Sequence, residues 1–254
     1  MHYKPKKKVY ISCVQTDCLG SGAWNQPGRG KIPYAWEVTM NWSWIAPAML
    51  KYFYSQATPN DYFIGSLSGP GYIDPKAVPE NILPVMIDSA SALMKYLDLN
   101  AFEIMDYSEG STIEGNTDLP QKIINQYYNH MPDVIGFING YAPSYTFTVK
   151  NKIPLVSFDY YLSPDRTEEE ILADLKELAK INPQRPYFLL LHVRQWNNID
   201  KVIHILNGLN KEFEVIPLDR FLKLAGEKPT FQEHYLDKKK SVTAKANKLN
   251  RQNG

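Results

Sequence analysis

The chain has 254 residues, 44% of them hydrophobic, with 28 Lys and Arg set against 27 Asp and Glu for a formal charge of +1. That length and apolar fraction can fill one large α/β domain or two small ones, while the balanced charge excludes the long-range field that draws a protein to nucleic acid or an anionic membrane. No apolar run approaches transmembrane length, and the start "MHYKPKKKVYISC" has no long apolar segment or small-residue cleavage site, so neither a membrane partner nor an export signal is expected in this chain.

Apolar runs alternate with amphipathic stretches along the chain. Residues 8–16 and 32–39 read as strands. Residues 42–57 read as a helix with Pro47 near its first turns. A third strand over 61–67 leads into the glycine-rich hinge "SLSGPGYIDP" (66–75), where Gly69 and Gly71 permit positive φ and close backbone approach while Pro70 and Pro75 stiffen the turn. A helix over 80–99 follows, its Leu83, Ile87, Ala90 and Met94 recurring at helical spacing. Further strands are expected at 101–106, 133–139, 154–159, 186–193 and 213–218, with helices at 119–130, 167–181, 199–209 and 218–226 between and after them. Thr167 and Glu170 fit a capping box. Cys13 and Cys18 would lie about 16 Å apart if extended, outside disulfide reach.

About eight mainly parallel strands, several of them continuous apolar runs, predict a TIM-like βα barrel, with an open doubly wound parallel sheet as the alternative. Residues 1–226 are read as a single domain and 227–254 as a polar, basic and flexible tail.

Parallel βα folds carry their sites at the carboxyl ends of strands. Four acids occupy such positions: Asp17, Glu37, Asp106 and Asp159. Beside them stand Ser68, Tyr72, Asn139, Tyr141, Tyr160, His192, Arg194 and Trp196, with Trp36 next to Glu37. Carboxyl groups among aromatic rings suit a carbohydrate, because glycoside hydrolysis needs one protonated and one ionised carboxyl between stacking surfaces. The competing reading of each Asp is a helix cap. No His pair at helical spacing is present, since His130, His192 and His204 are far apart, so no metal is assigned and no cofactor is expected. "GSGAWNQPGRGK" (20–31) is glycine-rich with Arg29 and Lys31 but lacks the Gly-Lys-Ser/Thr ending of a phosphate loop, and is read as a mobile loop bordering the rim.

Three segments, "GRGKIPYAW" (28–36), "ATPNDYFIGSLSGPGYIDP" (57–75) and "FEVIPLDRFLKLA" (213–225), resemble the carboxyl-terminal domain of the GxGYxYP family of putative glycoside hydrolases, over residues 8 to about 226. The middle motif reads Gly69, Pro70, Gly71, Tyr72, Ile73, Asp74, Pro75, with Asp74 where the family has its second Tyr. After the first strand, the family's Ser-Asp-Gly-Asp-Asn becomes Thr16, Asp17, Cys18, Leu19, Gly20. The resemblance implies a TIM-like barrel, a carbohydrate partner, and longer, exported relatives with additional domains missing from this chain. A glycoside hydrolase is therefore expected. The alternatives are a carbohydrate-binding barrel that has lost activity, motivated by Leu19 and Asp74, and, behind both, a carbohydrate deacetylase.

Overall fold

A computed structural model describes residues 4–16, 19–109, 117–141 and 143–236. In chain order the elements are β1 (Val9–Gln15), α1 (Ser21–Trp24), β2 (Tyr34–Val38), α2 (Trp42–Ile45), α3 (Pro47–Ser55), β3 (Asp61–Gly65), α4 (Leu83–Tyr96), β4 (Ala101–Ile104) and α5 (Gln121–His130). They continue with β5 (Gly136–Asn139), β6 (Thr148–Lys150), β7 (Ile153–Ser157), β8 (Tyr160–Leu162), α6 (Glu168–Ile181), β9 (Tyr187–Val193), α7 (Ile199–Asn207), β10 (Phe213–Val215) and α8 (Leu218–Glu227).

The strands form one mixed sheet in the order β6-β7-β5-β4-β3-β2-β1-β9-β8, with β10 beside the first half of β1. Every pairing is parallel except β6 with β7. The sheet is strongly curled. Four strand spacings would separate β1 from β5 by about 19 Å if it were flat, yet α8, ten residues and so about 15 Å long, packs on β1, β5 and β7 together. β7 and β8, at opposite sides of the strand order, are also neighbours in sequence. Between β7 and β8, the Phe158 N–H donates to the Asn139 carbonyl of β5 (3.1 Å) and the Asp159 N–H to the Leu190 carbonyl of β9 (3.0 Å).

This is a mixed α/β fold with a large, mostly parallel sheet. Among the described residues ten strands form instead of about eight, and no ladder joins β7 to β8, so the sheet is not closed by strand pairing. Nor does the order reverse at a central point as in a doubly wound sheet: from β8 through β9, β1 and on to β7 it advances cyclically along the chain. The helix expected over 42–57 breaks into α2 and α3 at Ala46 (φ −145°, ψ 48°), because Pro47 has no N–H and disfavours helical geometry in the residue before it.

The strand pleat sorts the side chains onto two faces. The outer face carries Val9, Ile11 and Cys13 of β1, Trp36 and Val38 of β2, and Leu189, Leu191 and Val193 of β9, packed beneath the helices in the larger core. The inner face is apolar in its lower half, where Tyr10, Ala35, Ile64, Ala101, Ile138, Val156 and Leu190 meet Phe221, Leu222 and Ala225 of α8. Two residues further along the same strands the inner face turns polar, with Glu37, Ser66, Glu103 and His192, all buried.

Candidate functional site

The polar half of the inner face opens into a row of tyrosines. Tyr72 stacks on Tyr107 (6.2 Å between ring centroids), Tyr107 meets Tyr141 edge-on (5.7 Å) and Tyr141 meets Tyr161 (6.1 Å). Tyr141 and Tyr161 close over His192 at 4.3 and 4.8 Å. The Arg194 guanidinium lies over both Tyr141 (5.0 Å) and Trp196 (4.7 Å). Tyr72 and Trp196 remain 58% and 63% exposed, so the row runs from a buried imidazole to solvent at each end. The His192 ring is held at both nitrogens. A carbonyl only accepts, so Nδ1–H donates to the Tyr141 carbonyl, while Nε2 lies in hydrogen-bond contact with the Thr16 hydroxyl.

The hinge after β3 shapes the other side of this opening. Its positive φ values fall on Leu67 (67°) and Ser68 (66°), not on Gly69 or Gly71. Two consecutive left-handed residues with side chains cost about 1–2 kcal/mol each, and a set of bonds holds them there. The Leu67 N–H donates to Oε2 of Glu103 (3.2 Å), and Ser68 Oγ both donates to the Met105 carbonyl (2.6 Å) and accepts from its N–H (2.8 Å). The Tyr127 hydroxyl donates to the Ser68 carbonyl (2.6 Å), its acidity suppressed by burial and further by the nearby charges of Asp106 and Glu103. At Gly71 the turn lies close to Asn41, whose side-chain end would have to shift for a Cβ, 2.6 Å away, to fit. Asp74, where the motif has its second Tyr, accepts from the Tyr107 N–H (2.7 Å) and so fixes the ring on which Tyr72 stacks.

The structure distributes the sequence-predicted residues unevenly. It gathers Tyr72, Tyr141, His192, Arg194 and Trp196 at the opening, with Glu37 on the inner face below. Asp106 is fully buried beside them, accepting from the N–H groups of Lys76 (2.6 Å) and Ser108 (2.9 Å) and the Ser108 hydroxyl (2.5 Å), with Lys76 Nζ at 3.5 Å. Asn139 is buried against Ser157, its Nδ2 donating to Oγ at 3.1 Å, and Ser68 serves the hinge as described. Asp17 lies outside the described residues. Glu103, Tyr107 and Tyr161 belong to the site and are additions to the sequence reading. Glu103 is in phase with Ala101 as Glu37 is with Ala35, which is the signal that strand alternation offers.

Three predicted residues lie elsewhere. Trp36 sits on the outer face between Trp24 and Tyr34, its Nε1 donating to Asp61 (2.8 Å). Asp61 also accepts from Arg29 (2.6 Å) and from the Thr58 N–H (2.9 Å) and hydroxyl (2.8 Å). The loop over 28–31 is thus tied to the start of β3 and, through Lys31 with Asp200 at 2.9 Å, to the start of α7 after β9. Tyr160 points toward α6 and donates to Asp174 (2.6 Å). Asp159 lies in the break between β7 and β8. Its carboxyl accepts from the Leu190 N–H (3.0 Å) and the Tyr187 hydroxyl (3.1 Å), and enclosure away from water pushes its pKa up to about 7.

Among the described residues, no group of three or more His, Cys, Asp or Glu is arranged to hold a metal ion, and no helix is long and apolar enough to cross a membrane. What the opening offers chemically is a wall of rings with a guanidinium above buried carboxyls, groups able to stack and to hydrogen-bond.

No curated protein matches the chain. Among solved structures, the crystal structure of a putative hydrolase from Bacteroides thetaiotaomicron VPI-5482 is similar with a TM-score of 0.73 at 17% identity, over 90% of this chain and 47% of that one. The chain therefore spans about half the length of that relative. The crystal structure of Puue allantoinase is similar with a TM-score of 0.52 at 10% identity, covering 90% of this chain and 94% of that one. Both likenesses concern the fold. Residues 7–226 match the GxGYxYP putative glycoside hydrolase C-terminal domain, nearly the whole described part, and the chain belongs to that family.

Proposed function

We propose that this domain is a glycoside hydrolase that binds a poly- or oligosaccharide along the tyrosine row and cleaves it with inner-face carboxyls. The observation that carries the reading is that Glu37 and Glu103 share a face and a strand phase beneath that row. Glu37 is level with Ile64 of β3, and Phe102 with Gly65, so Glu103 stands two residues higher and two strands away. That offset separates the two Cα atoms by about 12 Å on a flat sheet and by less on a curled one. An inverting glycosidase admits a water between carboxyls about 6.5–9.5 Å apart, and that is the spacing the reading requires of the two glutamates. Asp17, following β1, completes the set of acids. Tyr72, Tyr107, Tyr141 and Trp196 serve as stacking surfaces, with Arg194 as the hydroxyl partner. The same reading takes the curled sheet as a TIM-like barrel whose two ends are joined by the passage through Phe158 and Asp159.

A second reading, a carbohydrate-binding domain without turnover, is favoured by Leu19. It stands where the motif carries its second Asp, and it is buried in the outer core at 1% exposure. A screen of polysaccharides for binding and for release of reducing ends, with wild type beside Glu103→Gln and Asp17→Asn, tests both. Release that falls at least a hundredfold in either variant while binding persists supports hydrolysis. Binding without release in the wild type leaves the binding domain, and the absence of both discards the carbohydrate assignment.

A further inference from the structure

Away from the tyrosine row, a cavity of about 490 Å³ occupies the break between β7 and β8. Phe158, Tyr187, Phe188 and Phe231 line it with rings, Thr230 borders it, and Asp159 is its one ionisable carboxyl. No Lys, Arg or His is among the described residues lining it. Asp159 accepts from two neutral donors, the Leu190 N–H and the Tyr187 hydroxyl, and no cation pairs with it among the described residues. Arg185, the charged side chain that bears on Tyr187, is itself paired with Glu212.

The wall of the cavity is also an unfinished strand edge. Successive residues of a strand turn their N–H and C=O groups to opposite sides. The Tyr187 N–H donates toward β1, to the Lys8 carbonyl (2.9 Å), so the N–H and C=O of Phe188 face the break. On either side of Phe188 that edge is satisfied by side chains, Thr230 donating to the Pro186 carbonyl (2.5 Å) and Asp159 accepting from Leu190.

We infer that this cavity is a binding site for a small organic cation, an ammonium group carried on an apolar or aromatic frame. The rings take the frame, their faces favour the positive charge, and the Asp159 carboxyl supplies the counter-charge that no residue of the wall provides. A carboxylate has about four acceptor positions, and two neutral donors leave room for an N⁺–H donor. The Phe188 carbonyl is a second acceptor on the same wall. A neutral ligand of the same shape gains the burial without the charge-assisted bond. This inference is independent of the carbohydrate reading, since the cavity shares no residue with the tyrosine row.

The test is calorimetric titration of the intact chain with benzylammonium and, separately, with benzyl alcohol. At about pH 8 the cation binds about tenfold or more tightly than the alcohol, the size expected of a charge-assisted hydrogen bond with ring faces behind it. At about pH 5 the ligand keeps its charge but the carboxyl takes up a proton, and the preference disappears. In Asp159→Asn the preference is absent at both pH values. Equal affinity for the two ligands, no binding of either, or a preference retained by Asp159→Asn overturns the inference. Should that variant not fold, the wild type alone decides, because the preference for the cation is expected to disappear between about pH 8 and pH 5, and a preference undiminished at pH 5 overturns the inference equally.

Discussion

Replacing Asp159 by Asn gives a sharp test of how the sheet is joined across its break. In the folded chain the carboxyl is enclosed, although the residue as a whole is partly accessible, and its pKa rises from 3.8 to about 7. The folded state therefore holds a proton that the unfolded chain has released. Below about pH 4 the group is neutral in both states and its contribution is fully present. As pH rises toward 7, stability is lost, by up to about 4 kcal/mol for the full shift and by about 2 kcal/mol once partial accessibility is allowed for. Asparagine keeps an acceptor for the Leu190 N–H and does not titrate. Urea unfolding of both proteins between about pH 4 and 7.5 should then show the variant gaining on the wild type by about 2 kcal/mol as pH rises. Any constant offset from the altered bonds is irrelevant to that slope. If the two stabilities run parallel across the range, the carboxyl is solvated and is not enclosed against β9 as described.

Two further substitutions test the packing around the site. Gly226→Ala places a Cβ 1.9 Å from the Lys152 carbonyl oxygen, which forces α8 off the inner face; a loss of about 3 kcal/mol in denaturant unfolding is expected. Ser68→Ala removes both bonds to Met105 while leaving residue 68 in its left-handed conformation, so about 2–4 kcal/mol should be lost, again by unfolding.

Most of the sheet is legible in the sequence because its strands are continuous apolar runs covered on both faces, and such runs stand out wherever they occur. The strands that go unread are β6 and β8, three residues each. β6 is the polar "TVK" on the open edge, where nothing requires burial on both faces. β8 is hidden by its proximity to β7: "PLVSFDYYL" reads as one run, and only the change of partner from Asn139 to Leu190 divides it. The number of strands and the way the ends meet follow from hydrogen bonds made far along the chain, which local pattern does not carry.

The site was legible to the extent that residues end strands. Tyr141, His192 and Arg194 follow apolar runs and do converge, yet position after a run does not say which way a side chain faces. Asp159 and Tyr160 are consecutive after such a run and both leave the opening, one for the break in the sheet and the other for α6. Trp36 and Glu37 are neighbours on β2, so the pleat must send them to opposite faces, and only the glutamate can belong to the inner one. The same rule applied to "AFEI" picks Glu103 ahead of Asp106, because Ala101, Phe102, Glu103 and Ile104 alternate in step with Ala35, Trp36, Glu37 and Val38. Small residue, large apolar residue, acid, large apolar residue is thus repeated on β2 and β4. Its physical content is that the alanines make room for α8 below while the acids stand clear of it above. Phase within a strand, read relative to α8 in the lower half, is the better guide to the chemistry of this fold than position at the strand's end.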